Sequence, residues 1–133
     1  MSSGRAILTE NDSFDAVEER TNRRLYPRYV VPEKPRAAFI SGQLRVVGQV
    51  LNISLGGLLL CTKQPIATGT KGDVSVVLPN GRFYANAVVR DADPRGRNNL
   101  EFTKMNPEDR DALWAFCGTL RGTEVRKYTS TDW

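Results

Sequence analysis

The feature that most constrains the fold of this chain is a series of short apolar segments separated by turn residues. Between residues 36 and 103, segments rich in Val, Leu, Ile and Phe alternate with small groups of Gly, Pro and Asn, a pattern typical of β-strands and their turns. No segment with a helical period lies between them, and parallel neighbours would need crossover connections of about a dozen residues or more. The strands are therefore expected to pair mostly antiparallel, in a barrel or a sandwich.

Three turn sequences divide this region into hairpins. Pro79-Asn80-Gly81 lies between two apolar segments, and Asn-Gly favours a type I′ turn because both central positions need positive φ. Ser41-Gly42-Gln43 and residues 93–97 are read as two further turns. About six strands result, and they are predicted at 36–40, 44–53, 58–61, 73–78, 82–90 and 98–103.

One helix is predicted after the strands. Asn106 is a good N-cap, Pro107 suits the first helical position, and Glu108 and Asp109 favour the positive end of the helix dipole. Four apolar residues then recur at i, i+3, i+4 and i+7, which gives the helix one face to pack on the sheet. They are Leu113, Phe116, Cys117 and Leu120. Cys117 is accordingly expected to be a small core residue.

The composition excludes several kinds of enzyme. The chain has no histidine, so imidazole bases, Ser-His-Asp triads and histidine metal ligands are ruled out. Cys61 and Cys117 form no Cys-x-x-Cys pair, so neither a zinc site nor a disulfide framework is predicted, and a reducing cytosol is the simpler compartment. No apolar run approaches the roughly 18–20 residues of a membrane-spanning helix, and residues 1–10 lack the plan of a signal peptide. We expect a cytoplasmic, non-catalytic protein.

The net charge of +4 is unevenly distributed along the chain. Residues 1–19 have a net charge of −4, whereas residues 20–36 have a net charge of +5. We expect an acidic, flexible tail over 1–19, which could include a short helix over 14–20, a folded domain over 20–120 and a polar tail over 121–133. The basic segment has the charge to receive an anion, and a solvated run of charges is the alternative.

The first cluster with functional chemistry is Arg23-Arg24-Leu25-Tyr26-Pro27-Arg28-Tyr29. Pro27 disfavours helix at the preceding residue and removes a backbone donor, so the segment is predicted to be an extended loop. Its three guanidinium groups could pair with an anion or stack on a planar ring. The alternative is that these are surface arginines, attached to the sheet by the two tyrosines.

The second cluster is Asn52-Ile53-Ser54-Leu55-Gly56-Gly57, at the end of the longest predicted strand. Asn52 and Ser54 are two residues apart, so on an extended chain a carboxamide and a hydroxyl would face the same way. Gly56 and Gly57 allow a sharp turn and a close approach of a ligand to the backbone. The alternative is a β-turn with local side-chain hydrogen bonds.

Together, Arg24-x-x-x-Arg28 and Asn52-x-Ser54-x-x-Gly57 resemble the two motifs of the PilZ family of bacterial cyclic di-GMP receptors. The resemblance covers residues 20–120 and implies a mainly β fold, a six-stranded antiparallel β-barrel with a C-terminal α-helix packed on it. It implies that Arg24 and Arg28 grip guanine and phosphate, that Asn52 and Ser54 hold another guanine edge, and that Gly57, beside Gly56, leaves room for the turn.

The resemblance also implies how such a receptor works. The Arg loop closes over cyclic di-GMP and changes a surface offered to an effector protein. No cofactor, metal or nucleic acid is expected to take part, and no membrane insertion is expected. Arg23, just before the first motif, accompanies binding of two stacked ligand molecules in similar proteins. Two other readings stay open: a PilZ-like adaptor that binds only proteins, and a nucleic-acid-binding barrel suggested by the pI of 9.3 and by arginine beside tyrosine.

Overall fold

The computed structural model describes residues 26–120, which form seven strands and one helix. All six predicted strands and the predicted helix are present, and a two-residue strand that the sequence did not reveal precedes them. The strands are β1 (Tyr29–Val30), β2 (Arg36–Ser41), β3 (Leu44–Ile53), β4 (Gly57–Cys61), β5 (Lys71–Leu78), β6 (Gly81–Ala92) and β7 (Arg97–Lys104), and the helix is α1 (Pro107–Gly118).

The strands form a closed antiparallel barrel. The order around the sheet is β1-β3-β2-β5-β6-β7-β4, and an additional pairing between β3 and β4 closes it. Six strands therefore make the barrel wall, as predicted. The short β1 pairs with the C-terminal end of β3, and β2 pairs with the N-terminal part of β3, so β1 and β2 follow one another along one edge of that strand.

Alternate residues of the barrel strands point inward and form the core. On β5, for example, Val74, Val76 and Leu78 are buried, while the residues between them are exposed or half-buried. Burial of a side chain of this size stabilises the fold by roughly 1.5–3 kcal/mol. The largest fully buried side chains are Val31, Phe39, Val50, Ile53, Leu58, Leu60, Val74, Val76, Phe83, Val89, Leu100 and Leu113.

One polar side chain is fully buried in the wall with all its groups bonded. The amide nitrogen of Asn98 lies 2.9 Å from the carbonyl oxygen of Leu60 and 3.0 Å from the hydroxyl of Thr62. Its oxygen accepts a hydrogen bond of 2.8 Å from the backbone N–H of Ile66. Asn98 thus ties the loop after β4 to β7, and a buried amide satisfied in this way carries little desolvation penalty.

The hairpin between β5 and β6 differs from the prediction. Leu78 pairs with Gly81, so the two loop residues are Pro79 and Asn80 rather than Asn80 and Gly81. A type I′ turn needs positive φ at both loop residues, whereas the proline ring fixes φ near −65°. The type I′ prediction was therefore wrong, and the positive φ of 143° at Gly81 lies just after the turn. The predicted turns at 41–43 and 93–97 are confirmed, with φ of 62° at Gly42 and 86° at Gly96.

The helix α1 packs its predicted apolar face against the barrel. Leu113, Phe116 and Cys117 are buried, and so is Leu120 just after the helix. Cys117 is therefore a core residue, as predicted, and its burial raises the pKa of the thiol to about 12. Asn106 occupies the N-cap position as predicted, although its side chain makes no capping hydrogen bond. In the first turn of the helix, a carboxylate oxygen of Asp109 accepts a 3.1 Å hydrogen bond from the backbone N–H of Tyr84, which joins α1 to β6.

Several expectations concern residues that the structure does not describe: the acidic tail over 1–19 with its candidate helix over 14–20, the places of Arg23 and Arg24, and the polar tail over 121–133. Within the described part of the chain, no helix is long and apolar enough to cross a membrane.

Candidate ligand-binding site

The strand β1 brings the two sequence motifs together. Arg28 immediately precedes β1, in which Tyr29 pairs with Ile53 and Val30 pairs with Asn52. The last residue of the arginine motif therefore lies beside the end of β3, where the second motif begins. Arg23 and Arg24 lie outside the described residues, and their place in the site stays a prediction.

A β-bulge decides which way Asn52 faces. Val50 pairs with Leu60 and Asn52 with Leu59, so β3 has one more residue than β4 at this point. Without the bulge, Asn52 would follow Val50 into the core, because residues two apart share a face. With the bulge, Ile53 is fully buried and Asn52 is half-buried on the outer surface. Asn52 Oδ1 is itself buried, and it has no hydrogen-bond partner among residues 26–120.

Ser54 shapes the turn between β3 and β4. Its hydroxyl oxygen accepts hydrogen bonds from the backbone N–H of Gly56 at 3.0 Å and of Gly57 at 3.1 Å. Its own backbone N–H donates to the carbonyl oxygen of Gly57 at 2.8 Å, and only 2% of its surface is exposed. The local β-turn that the sequence offered as the alternative is thus present. Direct contact between Ser54 and a ligand stays a prediction.

Gly57 is required by a neighbouring strand. A Cβ atom at this position would lie 2.2 Å from the carbonyl oxygen of Leu100 on β7, closer than any real contact. The φ of Gly57 is not in the left-handed region, so turn geometry does not explain the glycine. The carbonyl oxygen of Gly56 accepts a 2.9 Å hydrogen bond from the backbone N–H of Phe102. Both motif glycines therefore join the β3–β4 turn to β7, a close approach that the sequence analysis assigned to a ligand.

The Arg28 side chain is almost entirely buried, with 4% of its surface exposed. One terminal nitrogen, Nη1, donates to Asn99 Oδ1 on β7 over 3.4 Å. A buried guanidinium needs hydrogen-bond partners to offset the loss of water, and Asn99 supplies one of them. Asn99 lies in neither sequence motif.

Asn99 and Asn52 lie on one row of residues that crosses the barrel wall. Asn52 pairs with Leu59, and Leu59 pairs with Asn99. Directly opposite residues in a sheet project to the same side, so this row, defined by Asn52, Leu59 and Asn99, faces outward across β3, β4 and β7. Neighbouring strands lie about 4.8 Å apart, which separates the two asparagines by roughly 10 Å.

An acidic side chain next to this row is neutralised by an ion pair. Glu101 pairs with Gly57 across β4 and β7, and only 2% of its surface is exposed. Arg90 Nε donates to its carboxylate. An ion-paired carboxylate repels an anionic ligand much less than an isolated one, so Glu101 is compatible with an anion on the row.

A groove of about 300 Å³ adjoins both motifs on another side. Tyr26, Pro27 and Tyr29 from the arginine motif form one wall, and Leu55 from the second motif forms part of another. The remaining wall is the helix α1, through Trp114, Cys117 and Gly118. Trp114 is 65% exposed, so the groove gives the surface beside the motifs an apolar character.

Several solved structures share this fold, including structures of PilZ domains. The chain is similar to YcgR from Escherichia coli in complex with c-di-GMP, with a TM-score of 0.63 and 19% identity over 75% of this chain and 46% of that one. The PilZ domain of the same protein with c-di-GMP gives a TM-score of 0.62 and 16% identity, over 75% of this chain and 92% of the domain. The inhibitor of motility MotI/DgrA from Bacillus subtilis gives a TM-score of 0.61 and 22% identity, over 74% of this chain and 51% of that one.

These similarities extend over about half of the complete YcgR and MotI chains. No curated protein sequence matches the chain closely enough to count as a relative. The sequence model of the PilZ domain matches residues 22–118, which include both motifs, the whole barrel and the helix. The chain therefore belongs to the PilZ domain family.

Proposed function

We propose that this protein is a non-catalytic receptor for cyclic di-GMP. The observation that supports it best is the acceptor Asn52 Oδ1, which is buried beside the arginine motif and has no partner among residues 26–120. A buried acceptor without a donor costs about 1–3 kcal/mol. The Watson–Crick edge of guanine offers N–H donors at N1 and N2, so a guanine placed on the outer row would satisfy it.

Arg28 supplies the second kind of contact that this ligand needs. A guanidinium can bind guanine O6 and N7 with two parallel hydrogen bonds, or two oxygens of a phosphate. Arg24 and Arg23, which precede it in the sequence, would add charge against the two phosphates. The similarity of the fold to PilZ structures determined with c-di-GMP supports the same ligand.

The response to the ligand would be a change at the groove next to the site. Three groove residues, Tyr26, Pro27 and Tyr29, flank Arg28 in sequence, and Leu55 lies inside the second motif. If the Arg loop closes over the ligand, it moves one wall of the groove relative to the helix α1. An effector protein that recognises this groove could then distinguish the bound receptor from the unbound one.

Calorimetric titration of cyclic di-GMP into the full chain tests the proposal. If the Arg28 contact is worth roughly 1–3 kcal/mol, the Arg28→Ala variant should bind about 5- to 150-fold more weakly. Arg45→Ala is the matched control, because Arg45 is exposed at the other end of β3 and should leave the affinity unchanged. The Arg24→Ala, Arg28→Ala double variant should bind still more weakly.

Two results would contradict the proposal. If the wild-type chain gives no heat of binding, the PilZ-like adaptor without a nucleotide becomes the better interpretation. If Arg28→Ala binds as tightly as the wild type, the ligand lies elsewhere. The change at the groove has its own readout: in a Trp133→Phe background, the fluorescence of Trp114 should change during the titration, and a constant signal would contradict movement at the groove.

A further inference from the structure

The two adjacent asparagines of β7 have opposite environments. Asn98 is fully buried, and both ends of its amide are hydrogen-bonded within the barrel wall. Asn99 is half-buried on the outer face and its oxygen accepts from Arg28 Nη1. Asn98 therefore has a structural role in the described wall, whereas Asn99 contacts Arg28 of the candidate site.

The chemistry of the contact fixes the orientation of the Asn99 amide. A guanidinium carries only donors, so the amide must present its oxygen to Arg28 and its NH₂ group in another direction. Arg28 Nη1 is thereby placed over β7, two strands away from Asn52. Because the guanidinium is planar and its five N–H groups diverge in a fixed pattern, one hydrogen bond at Nη1 restricts the directions of the others.

The length of the contact indicates orientation rather than tight attachment. At 3.4 Å it exceeds the usual range of about 2.7–3.2 Å for an N–H···O bond. Such a contact limits the rotation of the Arg28 side chain and still allows the guanidinium to shift toward a ligand. A side chain that is already oriented loses less conformational freedom on binding.

We propose that Asn99 is a positioning residue of the cyclic di-GMP site, acting through Arg28. The proposal rests on the proposed function, since it concerns the same ligand. It adds a residue on a third strand to the two motifs, so that the site extends over the outer row of Asn52, Leu59 and Asn99. The row gives the site a floor of two amides with one apolar side chain between them.

A double-mutant cycle on the full chain tests this role. The Asn99→Ala variant should bind cyclic di-GMP about 3- to 10-fold more weakly than the wild type. Asn99→Leu, which keeps the branched shape of the side chain but has no acceptor, should lose a similar factor. In the Arg28→Ala background, removing Asn99 should change the affinity by less than about 2-fold, because the group through which it acts is gone.

Controls separate this role from a general effect on folding. Asn86→Ala is the matched control, since Asn86 is exposed on β6 and its amide donates to Asp73, away from the row. It should leave the affinity unchanged. The Asn99 variants lose a partner of the buried Arg28, so their unfolding temperature should fall, but circular dichroism should show that they are fully folded at the temperature of the titration. A purely structural role would weaken binding by the same factor whether arginine or alanine occupies position 28.

The outcomes are distinguishable from those that test the proposed function. If the wild type binds cyclic di-GMP and Arg28→Ala weakens binding, but Asn99→Ala binds normally, the role of Asn99 is refuted and the receptor function stands. An equal loss in both backgrounds would also refute positioning through Arg28. If the wild type does not bind, the receptor function itself is refuted.

Discussion

Replacing Gly57 by alanine is expected to destabilise the barrel, although Gly57 belongs to a motif that we propose binds the ligand. The added Cβ would lie 2.2 Å from the carbonyl oxygen of Leu100, whereas ordinary contact begins at 3.4 Å. The turn and β7 would therefore have to separate locally by about 1 Å, which is a case of overpacking. Because Gly57 pairs with Glu101 in the wall, the separation would strain main-chain hydrogen bonds as well as side-chain contacts.

The expected size of the effect follows from this contact. Overpacking of a well-packed site typically costs about 1–3 kcal/mol. In a domain of about 100 residues, each 1 kcal/mol lowers the unfolding temperature by about 4–8 °C. The Gly57→Ala variant should therefore unfold roughly 4–24 °C below the wild type, as followed by circular dichroism without ligand. Gly118→Ala is the control: no atom lies within 4 Å of its added Cβ, so its unfolding temperature should be unchanged or slightly higher.

Two measurements would refute this reasoning about Gly57. One is an unfolding temperature of Gly57→Ala equal to that of the wild type, because the clash with Leu100 cannot be relieved without moving the backbone. The other is a stable variant that no longer binds cyclic di-GMP. That result would mean that the space at Gly57 serves the ligand, as the sequence analysis expected, and that the approach of β7 is incidental.

Two further predictions concern ligand stoichiometry and pH. The wild type should bind two molecules of cyclic di-GMP per chain and Arg23→Ala only one, as measured by calorimetry; a value of one for the wild type contradicts the role of Arg23. Burial raises the pKa of Cys117 from 9.0 to about 12, so above pH 9 the unfolded chain loses a proton that the folded chain keeps, and stability falls as pH rises toward 12. Denaturant titrations should show that Cys117→Ala loses this part of the pH dependence. If the free energy of unfolding falls with pH equally steeply in both proteins, the prediction is contradicted.

Much of the fold could be predicted from the sequence because its signals are local. The turn at Gly42 and the turn ending at Gly96 depend on residues that tolerate positive φ, and the apolar pattern of the helix is complete within about two turns. The strand β1 could not be predicted, because two residues become a strand only by pairing with β3. The prediction of a type I′ turn was wrong because Pro79 is the first of the two loop residues. Its ring fixes φ at a negative value, whereas a type I′ turn needs positive φ there.

The site was less predictable because it depends on register. The sequence identified Arg28 and Asn52 by their motifs, and the structure places both near the end of β3. Nothing in the sequence reveals that Leu59 separates Asn52 from Asn99, since that follows from two strand pairings. The adjacent pair Asn98-Asn99, just before Leu100, was the available signal. Even this pair does not show which of the two amides is buried. Successive side chains of a strand point to opposite faces of the sheet, but the sequence does not say which of the two faces the core.

The bulge in β3 also determines what a protein engineer could transfer to another barrel. The strand needs its extra residue to turn Asn52 outward while Val50 and Ile53 both remain buried. A graft that copied Asn52, Ser54 and Gly57 onto a regular strand would point the amide into the host's interior and a bulky aliphatic side chain into solvent. The portable unit is therefore the irregular strand with its partner β4, and the spacing between Val50 and Asn52 is as much a part of the motif as its polar residues.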